Sequence, residues 1–308
     1  MNKLTVILWL FITTASLASF ETKLDDCRII EDNQQRLICY DQINTKQSLK
    51  VDVKPQSLLE MPVLLADLDE PRIFTSYGRM EFLDKDINAV LLGVGTRAKL
   101  KTIEIPKIHQ SVDFNMIGLI KSQFDVSELD TRNNRGGALI NTDFMIGGEL
   151  VKNFKVGSLR LKYTHQSYHL GDEFLIDNPL YLENRLNLSY ETVDLMGFRK
   201  FNNWGGYFGA GFIVRSEPGT IDKFKLQTGF QYHGSKREWF TPLFGLDLKS
   251  WGETNWQLNT SLKAGAEFYG FLDQPLQLMF EYSDGKSPYG QFINDDFRFY
   301  GLSINHYW

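Results

Sequence analysis

Leu159-Arg160-Leu161-Lys162-Tyr163-Thr164-His165-Gln166-Ser167 alternates residue by residue. The odd positions run Leu, Leu, Tyr before ending in His165 and Ser167, while the even positions carry Arg160, Lys162, Thr164 and Gln166. A period of two marks a β-strand with unlike faces. In a soluble sandwich the even face is the wet surface. In a membrane barrel it lines the lumen and the odd face meets acyl chains.

Working outward, the period of two persists from Arg72 to the last residue. It predicts strands at 72–82, 88–104, 108–126, 137–154, 156–171 and 185–201, then at 206–215, 224–234, 240–249, 256–269, 276–282 and 297–308. An even number of strands, about twelve, is what single-chain bacterial barrels require. Connections at 127–136, 172–184, 216–223 and 283–296 are long and those at 105–107, 152–155 and 202–205 are short, the asymmetry of outer loops against periplasmic turns. Trp204, Trp239, Trp251 and Trp256 fall at predicted strand ends, where amphipathic rings favour the headgroup level. Tyr300, Leu302, Ile304, His306 and Trp308 alternate down to a terminal aromatic, the pattern that barrel-assembly machinery reads. The expected fold is all-β: a closed antiparallel transmembrane β-barrel of about twelve strands, with a periplasmic sandwich as the soluble alternative.

The amino end reads differently. Met1-Asn2-Lys3, an apolar run over 4–17 and the small-residue site Ser16-Leu17-Ala18 read as a secretory signal over 1–18. No later stretch approaches the roughly 20 apolar residues of a spanning helix. Residues 19–57 read as a periplasmic segment with a short helical part and a polar linker, and 58–308 as the barrel. The two cysteines, Cys27 and Cys39, lie in that first segment, where an oxidising compartment favours a disulfide over two buried thiols. A net charge of -5 leaves no footprint for nucleic acid. Neither a CxxC pair nor a P-loop is present, and no GxGxxG opens a helix.

His165 and Ser167 are the residues with chemistry to offer. Two apart on a strand, they project on the same side, so the imidazole can accept the hydroxyl proton of a serine attacking an ester carbonyl. On an apolar outer wall the ester would belong to a membrane lipid. The plainer reading is a polar cluster at the interface, where strands tolerate polar residues at little cost. His169 shares the face, as a supporting group or as rim chemistry. The same tripeptide recurs at His109-Gln110-Ser111, but Val112, Phe114 and Met116 mark the lipid side of that strand, which turns His109 and Ser111 to the lumen. In a non-enzymatic barrel, either a narrow pore or a binding element, Arg160, Lys162 and Gln166 would face Asn187 and Glu191 in a charged luminal network.

Leu64-Leu65-Ala66-Asp67, the run from His165 to Glu173, Asn187-Leu188-Ser189-Tyr190-Glu191, and Asp284-Gly285-Lys286-Ser287-Pro288-Tyr289-Gly290-Gln291-Phe292 resemble the domain of unknown function 1207 family. That resemblance implies a bacterial envelope location and no established activity. The run from Cys27 to Arg36-Leu37-Ile38-Cys39-Tyr40-Asp41 is similar to an amino-terminal element of exported proteobacterial proteins, some outer-membrane phospholipases among them. A further, local resemblance is to outer-membrane phospholipase A, whose catalytic histidine and serine lie two apart on the fifth strand and whose asparagine opens the sixth. It implies His165, Ser167 and Asn184 as a catalytic set, with Asn184 on the face of Leu186 and Leu188. It also implies membrane lipids as substrate, a possible homodimer, and a cation, Ca2+ among the candidates, held by Asp172, Glu173 or Asp177. The chain departs from that enzyme in Tyr168-His169, where the phospholipase has Asn-Gly, and in a longer loop before Asn184.

Overall fold

The computed structural model describes residues 30, 32, 35, 36, 39, 61–105, 110–127, 137–179, 181, 188–270 and 274–307. The expected signal segment, Cys27 of the proposed disulfide, His109, Asn184, Leu186 and Asn187 lie outside these residues. The chain divides into two compact units, one ending at Pro55 and one beginning at Gln56. In the first, Gln35, Arg36 and Cys39 are helical, and the Asp32 carboxylate accepts the Gln35 backbone N–H at 2.9 Å, as a helix cap does.

Among the described residues of the second unit, twelve antiparallel strands close into a barrel. They are β1 (Ile73–Phe82), β2 (Lys85–Ile105), β3 (Gln110–Asp125), β4 (Ala138–Phe154), β5 (Gly157–Leu170), β6 (Ser189–Phe201), β7 (Trp204–Glu217), β8 (Phe224–His233), β9 (Phe240–Trp251), β10 (Leu258–Phe268), β11 (Leu276–Lys286) and β12 (Asp296–His306). The seam joins β1 to β12, with Ile73 opposite His306 and Phe82 opposite Phe297. Closure leaves no strand edge unpaired, the condition for a sheet to sit in hydrocarbon. No described helix is long and apolar enough to cross a membrane.

The alternation that defines the strands also sorts their faces. On β5, Ser158, Arg160, Lys162 and Thr164 are buried in the interior, whereas Leu159, Leu161, Tyr163 and His165 are exposed on the outer wall. The outer wall elsewhere carries Phe144, Leu195, Phe208, Leu302 and Ile304, an apolar band that water would penalise and lipid accepts. β1 and β2 join through Leu83 and Asp84, both at positive φ, the geometry of the tight two-residue hairpin turn. That tight turn lies at the end of the barrel that otherwise carries the longer connections, called the loop end below; the opposite end is the turn end. The loop after β5 contains a short helix, α1 (Asp172–Asp177).

Residues 61–72, in which the sequence shows no strand period, lie inside the barrel. Leu64, Leu65, Ala66, Asp67, Glu70 and Arg72 are all almost completely buried. Met61 and Leu64 pack on Val151, Met196, Phe198 and Tyr207, and Leu65 on Leu243 and Met279. Burying each leucine contributes roughly 1.5–3 kcal/mol. Gly245 makes the approach possible, because a Cβ there would stand 2.9 Å from the Leu65 Cβ. The segment enters near the turn end, where the Met61 N–H donates to Asn153 Oδ1, and then runs directly into β1.

Candidate functional site

Two regions carry chemistry: the outer wall around β5 and the lumen. On the outer wall, His165 lies opposite Glu191 of β6 in the strand register, and Ser167 opposite Ser189. His165 Nδ1 stands 3.6 Å from a Glu191 carboxylate oxygen. The same carboxylate lies beside the Tyr163 hydroxyl and 3.9 Å from the Arg215 guanidinium on β7. Glu191 is thus surrounded by three complementary groups, which offsets the cost of a carboxylate on a half-apolar wall. With Nδ1 facing Glu191, Nε2 is the nitrogen left to serve Ser167. In this resting geometry no hydrogen bond joins His165 to Ser167 among the described residues.

The strand reading of β6 needs correction. Glu191 was expected in the lumen, facing Arg160 and Lys162; it faces outward beside His165. Leu188 was expected on the lipid face; it is buried inside the loop end against Tyr168 and Tyr190. β6 has apolar residues on both faces, so its period fixes a strand without fixing which side is out. Trp251, expected at the headgroup level, also turns inward: its Nε1 donates to the Asp222 carbonyl and its ring packs on Tyr190. Trp204, Trp239 and Trp256 are exposed.

His169 shares the outer face, with its ring 5.5 Å from that of Phe144, on the side away from Glu191. Asp172, Glu173 and Asp177 sit exposed on α1. Among the described residues no group of three or more His, Cys, Asp or Glu converges to hold a metal ion. The three α1 acids therefore do not make a cation site between themselves. Ser111 faces inward near the turn end, where its carbonyl accepts Lys152 Nζ.

The lumen contains the residues that sequence reading missed. Residues 61–72, the plug, present Asp67, Asp69 and Glu70 to a ring of bases from four strands. Lys249 of β9 bonds both Asp67 and Asp69, and Lys121 of β3 lies 2.6 Å from Asp69. Arg160 of β5 lies 3.0 Å from Glu70, and Arg97 of β2 bridges Glu70 and Glu149. Burial pushes these three plug carboxyls up, yet all are held below the usual carboxylate range: Asp67 by Lys249, Asp69 by Lys121 and Lys249, Glu70 by Arg160 and Arg97. From the loop end, the β11–β12 connection folds in: Gly290 N–H donates to Asp143, and Phe292 packs on Phe82, Phe174 and Tyr181. Plug and loop meet at Lys121, whose ammonium donates to both Asp69 and the Pro288 carbonyl.

A family model, described as protein of unknown function (DUF1207), matches residues 27–308. The chain belongs to the DUF1207 family. The plug run Leu64-Leu65-Ala66-Asp67 and the inward loop Ser287 to Phe292 both lie in the lumen of this DUF1207 barrel. No curated protein matches the chain by sequence. Among solved structures, it is similar to the outer membrane phospholipase (OMPLA) of Salmonella typhi, crystallised as a dimer with bound calcium. The identity is 13%, the match covers 77% of this chain and 91% of that one, and the TM-score is 0.52. Outer membrane phospholipase A from Escherichia coli matches at 12% identity and TM-score 0.54, over 79% of this chain and 95% of that one. An active-site mutant of the Escherichia coli enzyme, with asparagine replaced by alanine, matches at 12% and 0.53, over 79% and 91%. At such identities the likeness establishes the fold, a β-barrel of the bacterial outer-membrane type.

Proposed function

We propose that this DUF1207 barrel resides in the bacterial outer membrane, with its amino-terminal segment in the periplasm, and hydrolyses acyl esters of membrane lipids on its outer wall. The observation that carries the reading is the pair His165 and Ser167 on the lipid-facing side of β5, with the Glu191 carboxylate 3.6 Å from His165 Nδ1. Ser167 Oγ attacks the ester carbonyl while His165 Nε2 takes its proton. The tetrahedral adduct collapses as the ester C–O bond breaks, and the imidazolium returns the proton to the departing alcohol. A water then repeats the sequence on the acyl-serine and releases the fatty acid. Glu191 orients the imidazole, a role that the likeness to phospholipase A assigns to Asn184. His169 and the α1 acids would stand at the rim of this site. Substrate already held beside the wall needs no enclosing cleft. A homodimer, as in the Salmonella crystal, and engagement of barrel-assembly machinery during biogenesis belong to the same reading.

The lumen favours this over a conducting pore, because the plug and the β11–β12 loop meet across it at Lys121. The test uses the full chain folded in detergent micelles and supplied with phospholipid. Ser167→Ala is expected to lower ester hydrolysis by about 10³-fold or more and to abolish labelling by a serine-reactive fluorophosphonate. Hydrolysis by Ser167→Ala equal to that of the unmodified chain would overturn the proposal.

A further inference from the structure

The two ends of the outer wall are charged differently. At the loop end cations and acids occur together and neutralise one another: Arg298 holds Glu81 at 2.9 Å and Asp284 at 2.8 Å, and Glu191 lies between His165 and Arg215. At the turn end the charges around the wall are mostly basic. Lys152 of β4 is half-buried there, while Lys155 in the β4–β5 turn, Arg199 of β6 and Arg237 in the β8–β9 turn are exposed. None of the four makes an ion pair among the described residues. Of the acids at this end, Asp113 is committed to Lys99 and the Thr102 hydroxyl, and Glu267 to Tyr269 and Gln277. Glu104 and Glu238 are exposed and pair with no member of the belt.

Three of these cations lie over aromatic rings on the lipid-facing side. Lys152 Nζ is 5.9 Å from the centre of the Phe154 ring, and the guanidinium groups of Arg199 and Arg237 are each 5.3 Å from the centres of Phe201 and Phe240. Residues two apart on a strand share a face. Phe154 and Phe201 are exposed on the outer wall, so Lys152 and Arg199 point outward with them. Phe240 shares that side, because its neighbour Thr241 is buried inside. Trp204 and Trp239, both exposed, stand at the same end. Aromatic rings of this kind mark the headgroup level, and a long cationic side chain laid along one keeps its stem in apolar surroundings while its charge reaches the phosphates. A net-positive belt attracts net-negative headgroups, whereas a zwitterionic headgroup brings its own cation and gains less.

We propose that the turn end of the outer wall is a docking belt for anionic phospholipids, whose headgroup phosphates are held by Lys152, Lys155, Arg199 and Arg237. The belt rests on the residence of the barrel in a bilayer and not on hydrolysis at Ser167. The test therefore uses the full chain carrying Ser167→Ala, so that no lipid is consumed. It is inserted into phosphatidylcholine vesicles containing a minor share of brominated lipid, phosphatidylglycerol in one arm and phosphatidylcholine in the other. Quenching of tryptophan fluorescence by the bromine reads which lipid lies against the wall. The intact belt is expected to enrich phosphatidylglycerol beside the protein by about fivefold and to lose that preference in high salt. Joint replacement Lys152→Gln, Arg199→Gln and Arg237→Gln should bring the enrichment close to unity. Arg79→Gln, on the loop-end wall beside Asn88, should leave it unchanged. Equal quenching in the two arms overturns the proposal, as does a preference that ignores salt or one kept by the triple variant with the heat-modifiable migration of a folded barrel. A chain that never inserts would instead sink the membrane reading of the barrel, and the belt with it.

Discussion

The two ring nitrogens of His165 are inequivalent: Nδ1 faces Glu191 at 3.6 Å, and Nε2 remains for a serine proton. A carboxylate in that place holds the imidazole in the useful tautomer and stabilises the imidazolium that forms as serine attacks. Glu191→Gln keeps the shape and removes the charge. It is expected to lower kcat for lipid-ester hydrolysis by about 10²-fold or more with KM little changed, as steady-state assays in mixed micelles would read. An effect confined to KM would reassign Glu191 to lipid binding. The residue was hidden from sequence reading because β6 alternates Tyr190, Thr192, Asp194 and Met196 inward against Glu191, Val193 and Leu195 outward. Polar and apolar types occur on both sides, so only the β5–β6 register places Glu191 beside His165.

Paired charges fix the position of the plug in a confined space. Glu70 is buried between Arg160 and Arg97, and removing one partner of such a pair costs about 3–5 kcal/mol, because the remaining charge is left without its counterion. Glu70→Ala should loosen residues 61–72 while leaving the wall intact. In planar bilayers the unmodified barrel is expected to be nearly silent and Glu70→Ala to pass ions in intermittent openings; equal silence in both would mean that the β11–β12 loop suffices to seal the lumen. The wall was legible from its period of two, and its strand count, order and the outward side of β5 follow from that signal. The plug was not legible. Residues 61–72 have no period, and their partners lie on β2, β3, β5 and β9, brought together only once the barrel closes. Leu64-Leu65-Ala66-Asp67 stood out as a motif, but nothing in its composition says that it faces Gln231 and Gly245 from the inside.

For the molecule as a unit, the depressed plug carboxyls set its response to acid. A carboxyl whose folded pKa lies below its unfolded value adds stability above the unfolded value, about pH 4, and loses it as pH falls through the folded value. Asp67, Asp69 and Glu70 all shift in that direction. The contribution of these three carboxyls to docking should therefore be constant from neutral pH down to about pH 4 and be lost only in stronger acid. Protection of residues 61–72 from an added protease, followed as a function of pH, would read this; release already near pH 6 would contradict it.

The order of these parts along the chain has a consequence for how the object is made. Arg72 leads straight into β1, and β1 is the strand that meets β12 to complete the cylinder. A tube zipped shut beforehand would have to swallow twelve residues backwards past Met196, Phe198 and Tyr207, which already crowd that mouth. The stopper therefore has to lie across the growing sheet before its first and last staves join, so that the final zipping both finishes the cask and corks it.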